Sequence, residues 1–221
     1  MLKFNKNYGY IMLLIFCTLF FGSQNVNARV VKNIESNNIF SNEEVVTKSI
    51  VGKEQIKQYQ EARGEKYNPD LVGIYTQSEN IGDDNLDDEN VSLMYFGNDY
   101  YVKNKTTNTK TDTSNIIRQY RHPAGKISIN ENISIKNKFS ASGKITADIL
   151  SGELGYDVTK SNHFSINWSN KYSYPVVIKI YPIYKITKGE IWEDDVFFDD
   201  KVGSFTAKKA IGDDIRVYKS K

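Results

Sequence analysis

The chemistry open to this chain is limited by its side chains. His122 and His163 are the two imidazoles, and neither has a second histidine at the spacing a zinc site uses. His163 alternates with Ser161 and Ser165, which predicts a solvated imidazole on the polar side of a strand. His122 precedes Pro123 in a basic turn. Cys17 is the single cysteine. There is no His-Glu-x-x-His, Gly-x-Ser-x-Gly, phosphate loop or Gly-x-Gly-x-x-Gly. Paired carboxylates could hydrolyse a glycoside, but the acidic residues read as members of hydrophilic clusters, without apolar surroundings to raise one pKa. These side chains predict a protein that is not an enzyme.

Hard oxygen ligands gather in one loop. Asp83, Asp84, Asp87 and Asp88, with Asn85 among them, make calcium the one candidate cofactor. Their spacing does not follow the EF-hand pattern, and a solubilising charge run has the same composition. Asp194, Asp195, Asp199 and Asp200 bracket Val196-Phe197-Phe198 and read as rims of a strand or turn. Tyrosines, among them Tyr95, Tyr101, Tyr120, Tyr172, Tyr181 and Tyr184, suit either an aromatic face for sugar, peptide or lipid headgroup, or cross-strand pairs.

The first residues are expected to be an export signal. Lys3 and Lys6 precede an apolar run from Ile11 to Phe21, and Val26-Asn27-Ala28 is a small-residue cleavage pattern. Cleavage after Ala28 would remove Cys17, so the mature chain would hold no thiol. Disulfide-free export, together with richness in Lys, Asn and Ile, points to an extracellular protein of Gram-positive bacterial type. The leader carries both of those lysines and no acid, so the 29 basic and 27 acidic residues of the whole chain become an even balance. No net field favours nucleic acid.

The elements that would position these groups are mostly strands. Residues 29–66 read as a mobile or helical arm, with Val45, Val46, Ile50, Ile56 and Tyr59 on loose helical spacing and Gly64 as its end. Residues 67–221 read as a β-rich domain. Leu71 to Thr76, Val91 to Phe96 and Tyr100 to Lys103 look like short strands, and Thr106 to Ser114 like a polar tip. From Ile127 to Ile149 apolar residues keep one parity. Ser151-Gly152 then suggests a two-residue hairpin turn, which would set Ile145 opposite Val158, Ala147 opposite Tyr156, Ile149 opposite Leu154 and Ile135 opposite Trp168. Pro175 and Pro182 confine the following strand to an edge or to bulged pairing. The expected fold is mainly β: an elongated antiparallel sheet or sandwich with a long amphipathic hairpin and a short N-terminal helical arm.

Two resemblances follow from this region. Gly152-Glu-Leu-Gly-Tyr-Asp-Val-Thr-Lys-Ser161, Ile178-Lys-Ile-Tyr-Pro-Ile-Tyr184, Ala210-Ile-Gly212 and Arg216-Val-Tyr218 resemble pieces of small secreted β-rich proteins of Gram-positive bacteria, of unsettled function. More distantly, the polar amphipathic hairpin followed by Pro175-Val-Val-Ile-Lys-Ile180 resembles the aerolysin and epsilon-toxin class of β-pore-forming proteins. That likeness implies insertion of the hairpin 139–168, with Ile145, Ala147, Ile149, Leu154, Tyr156 and Val158 facing lipid, and an oligomer. Two readings stand: a secreted, non-catalytic β protein binding a cell surface, protein partner or membrane lipid, and a small pore-forming toxin.

Overall fold

The computed structural model describes residues 45–79, 100–193 and 199–220. The expected leader, residues 29–44, the strand expected at 91–96, the candidate calcium ligands Asp83, Asp84, Asp87 and Asp88, and Asp194 and Asp195 lie outside the described residues.

The chain is mainly β, with antiparallel pairing and two helices. In order come β1 (Val45–Val51), α1 (Lys53–Ala62), β2 (Leu71–Glu79), β3 (Tyr100–Thr111), β4 (Arg118–His122), β5 (Gly125–Lys136), β6 (Lys138–Ala141), α2 (Ala147–Leu154), β7 (Ser161–Tyr172), β8 (Val176–Glu193) and β9 (Asp200–Lys219). A seven-stranded sheet runs β1-β2-β9-β8-β3, with β4 also on β8 and β6 also on β9. Strands β5 and β7 form a separate two-stranded ribbon.

The residues expected to begin a helical arm are instead a strand. Val45, Val46, Thr47, Ile50 and Val51 are β-branched, which favours a pleated surface over a helix. Strand β1 pairs with β2 from Val45 opposite Glu79 to Val51 opposite Gly73. Gly52, at φ 93°, ends the strand and lets α1 begin. Ile56 of α1 packs with Leu71 and Ile74 on one face of the sheet.

Two other expectations shift. Thr106 to Thr111, read as part of a polar tip, continues β3 along β8. Its threonines suit a strand, and β8 supplies the hydrogen bonds the segment lacks alone. Strand β8 lies inside the sheet rather than at its edge. Pro182 is accommodated because β3 ends and β4 begins around it: Thr111 pairs with Ile183 and Arg118 with Ile180. A register shift against β9 follows between Ile183 and Tyr184, which is the bulged pairing the prolines also allow.

The largest correction concerns residues 147–154. Ser151-Gly152 is not a hairpin turn but the middle of α2. Thr146 caps the helix, accepting from the backbone N–H of Ile149 at 3.3 Å, and Gly155 closes it in the left-handed region at φ 70°. The local pattern favours this. Ile149 and Leu150 are adjacent apolar residues that break a period of two, and Leu150 and Leu154 stand one helical turn apart. Trp168 consequently faces Ile129 rather than Ile135, a slip of six positions. Six is even, so odd-numbered β5 residues still share a face with even-numbered β7 residues.

Candidate functional site

The ribbon β5–β7 and the seat beneath it form the candidate site. Both strands are 12 residues long and alternate strictly. Ile127, Ile129, Ile133 and Ile135 of β5, with Ile166, Trp168 and Tyr172 of β7, are buried against Val176, Ile178 and Ile180 of β8 and Ile215 and Val217 of β9. Ile74 and Tyr75 are neighbours on β2 and so point to opposite faces. Ile74 packs with α1 and Tyr75 with the ribbon cluster, which puts the helix and the ribbon on opposite sides of the sheet. The outer ribbon face carries Lys126, Ser128, Asn130, Asn132, Ser134 and Lys136, with His163, Ser165, Asn167, Ser169 and Lys171, all exposed. His163 lies where its alternation predicts.

Among the described residues, the ribbon strands make their ladder hydrogen bonds only with each other. What ties the ribbon to the sheet is side-chain packing and a few polar contacts. Asn162 Nδ2 donates to the carbonyl of Ala210 at 2.7 Å, and the N–H of Ala210 donates to Asn137 Oδ1 at 2.8 Å. Thus the peptide groups of Ala210, at the β9 bulge, are satisfied by two asparagines flanking and entering the ribbon. Asn170 Nδ2 donates to the Tyr75 hydroxyl at 2.5 Å, and the Tyr75 and Tyr172 hydroxyls lie 3.2 Å apart. Burial, with the Tyr75 hydroxyl beside it, raises the pKa of Tyr172. Glu131 interrupts the apolar face of β5 and accepts from the Tyr120 hydroxyl at 2.6 Å. Burial and this carboxylate push the Tyr120 pKa up to about 12.

The seat also contains unmatched polar groups. Trp168 Nε1 and Asp213 Oδ1 are buried and have no hydrogen-bond partner among the described residues. Asp213 is 1% exposed, and burial, followed by the charge of Asp214, pushes its pKa up to about 7. On the other face Asp214 and Glu65 hold Arg216, at 3.1 Å and 2.6 Å. The sequence reading missed this acidic pair by treating acidic residues as hydrophilic clusters. The available signal was its setting: Asp213-Asp214 is flanked by Ile211 and Ile215 in a strand, with Arg216 two positions after Asp214.

The residues expected to line a lipid-facing hairpin are brought together, though not as paired strands. Ile145 and Val158 are buried with Leu150, Ile191, Phe205 and Ala207, and Ala147, Ile149, Leu154 and Tyr156 pack on this cluster half-buried. Burial pushes the Tyr156 pKa up to about 12. They form a small core around α2, apart from the ribbon's own cluster. Gly143 fixes the approach to it: at φ 74°, a Cβ there would stand 2.0 Å from the carbonyl oxygen of Val202. Of the tyrosines considered for a recognition face, Tyr172, Tyr181 and Tyr184 are buried. Tyr95 lies outside the described residues. Among the described residues no group of three or more His, Cys, Asp or Glu is placed to hold a metal ion. No helix among them is long and apolar enough to cross a membrane, which says nothing of strands.

No protein-family model matches this chain, and no curated protein matches it. A solved structure described as "Putative pore-forming toxin" from Bacteroides vulgatus ATCC 8482 aligns over 81% of this chain and 74% of its own. The identity is 7% and the TM-score 0.28, and a likeness at that level carries no argument.

Proposed function

We propose that this is an exported, non-catalytic, membrane-active protein whose β5–β7 ribbon leaves the sheet and enters a bilayer as part of an oligomeric β-barrel. One observation supports this above the others: a ribbon with one apolar and one polar face is seated on the sheet with no ladder shared between them among the described residues. At about 3.3 Å per residue, strands of 12 residues reach roughly 40 Å, and a spanning strand needs about 9–11 residues. The isoleucine and aromatic face loses its sheet partners on release and gains lipid chains, an apolar exchange of similar kind. The Ser, Asn and Lys face would line the lumen. The free edges of one ribbon cannot be left unpaired in lipid, so several copies must close a barrel. This reading moves the inserting element from the hairpin 139–168 to the strands 125–136 and 161–172.

The test is dye release from liposomes of phosphatidylcholine, anionic lipid and sterol, with the oligomer followed by crosslinking. Release accompanied by a ladder of oligomers is expected. Retained dye with a monomeric chain would overturn the proposal. A second reading, surface or partner binding without insertion, draws on β1. Among the described residues this strand pairs with β2 alone, and it exposes Val45 at 53% and Val51 at 47%. It predicts binding without leakage.

A further inference from the structure

A cavity of about 200 Å³ opens where the ribbon meets β1 and β2. Tyr75, Ile166, Trp168, Asp213 and Ile215 line it, with Gln77 among the polar groups around them. The Tyr75 and Trp168 rings meet edge to face, with centroids 5.2 Å apart and planes at 61°. Asp213 is register-paired with Gln77 on β2 and with Pro182 on β8, and shares its side of β9 with Ile215, so its carboxyl lies on the ribbon side.

Among the described residues, that carboxyl is paired with no positive charge. Around it stand Thr47, Lys48 and Ser49 from β1, Tyr75 and Gln77 from β2, and Trp168 from the ribbon. Lys48 borders the cavity, but it is paired with Thr76, which stands opposite Asp214, so its side chain starts from the other face. Arg216 is held on that face by Glu65 and Asp214. Burial, and then the carboxylate of Asp214, the charge that acts on it among the described residues, make ionisation harder and push the Asp213 pKa up to about 7. A buried carboxylate with an unpaired oxygen beside two aromatic rings, at the edge of a cavity, is poorly matched as a structural element. It is well matched as half of a binding site.

We propose that this cavity binds a small organic ammonium ion, with Asp213 neutralising its charge and the Tyr75 and Trp168 rings packing against its alkyl groups. Aromatic faces attract such cations, and more strongly where water is excluded. A divalent metal fits worse: one carboxylate is too few hard ligands. The binding claim stands without the membrane reading. Its consequence rests on that reading: a ligand touching both Trp168 of the ribbon and Tyr75 of the sheet holds the two together and slows leakage.

The test titrates the exported chain with tetramethylammonium chloride and n-butylammonium chloride, following the Trp168 indole N–H by NMR. Sodium chloride controls for ionic strength and tert-butanol serves as the neutral probe. Saturable shifts with the ammonium salts alone are expected. Affinity should fall about tenfold for each pH unit below the pKa of the Asp213 carboxyl, because the ionised form is the binding form. Asp213→Asn should abolish the shifts. If that variant does not fold, the pH profile of the unaltered protein and Tyr75→Leu, which keeps the Trp168 reporter and is expected to weaken binding at least fivefold, decide instead. Equal response to tert-butanol, pH-independent affinity, or retained binding in a folded Asp213→Asn would overturn the proposal. Ammonium binding by a chain that releases no dye from liposomes in the absence of ammonium would sink the membrane reading and leave this one standing.

Discussion

Replacing Asn137 by alanine removes one amide that three segments share. Asn137 is 3% exposed and sits between β5 and β6. Its Oδ1 accepts from the N–H of Ala210 at 2.8 Å, and its Nδ2 donates to the carbonyl of Asp157 at 2.9 Å. The Ala210 N–H falls at the β9 bulge and has lost its place in a ladder. Leaving it buried and unpaired costs about 1–3 kcal/mol, and the second, partly buried bond contributes about 0.5–1.5 kcal/mol. The expected loss is therefore about 2–4 kcal/mol. Urea unfolding measures it as a lower midpoint with an unchanged slope. Amide exchange gives a local reading: Ala210 should exchange roughly thirty-fold to several-hundred-fold faster, at about 1.4 kcal/mol per factor of ten. An Asn137→Ala variant with the midpoint of the parent, and with Ala210 equally protected, would refute the idea that this amide anchors the ribbon's end.

Three further outcomes are expected. Arg216→Gln leaves Asp214, whose side chain is 0% exposed, without its counter-charge, and should cost about 3–5 kcal/mol in urea unfolding. Burial alone would raise the Glu65 pKa, but the hydrogen bond and charge of Arg216 outweigh it and hold the carboxyl below its ordinary value. Its contribution is thus present above the unfolded pKa and lost as pH falls through the folded one, so Arg216→Gln should also flatten the acid limb of the stability profile. Asp213 has the opposite sign. With a folded pKa of about 7, the native state takes up the proton more readily, so this group's penalty grows as pH rises from about 4 to 7 and then levels. Asp213→Asn should remove that decline, on the order of 3–4 kcal/mol between pH 4 and 8; parallel unfolding profiles for the two proteins would contradict it. Finally, the outer ribbon face carries Lys126, Lys136 and Lys171 and no acidic residue. A barrel formed as proposed should favour anions in planar bilayers, and Asn130→Asp with Asn132→Asp should shift the reversal potential toward cations without altering the soluble fold.

Much of this architecture is legible in the alternation of the chain. The stripe Ile127, Ile129, Ile133, Ile135 and the later Val176, Ile178, Ile180 announce strands buried on one side, and both are found so. Parity survived even where pairing did not, because a slip by an even number leaves each side chain on its own face. The turn was misread because Ser-Gly is a hairpin signal only between extended flanks, and Thr146 and Gly155 supply the stronger local instructions for a helix. The fate of Val45 to Val51 depended on β2, a tertiary partner that loose helical spacing cannot reveal. The same holds for Asp213. Its burial comes from a ribbon that is distant in sequence, so neighbouring residues show that it lies in a strand, but not what covers it.

The central claim is that the ribbon changes its apolar partner from the sheet to lipid. The most direct measurement uses single cysteines at Ile129, Asn130, Asn132 and Ile133 in a chain beginning at Arg29, each carrying an environment-sensitive fluorophore, with liposomes containing nitroxide-labelled acyl chains. Labels at 129 and 133 should be quenched by the lipid-borne nitroxide, while labels at 130 and 132 remain open to an aqueous quencher. The same alternation without lipid quenching, as in solution, would mean that the ribbon never left its seat.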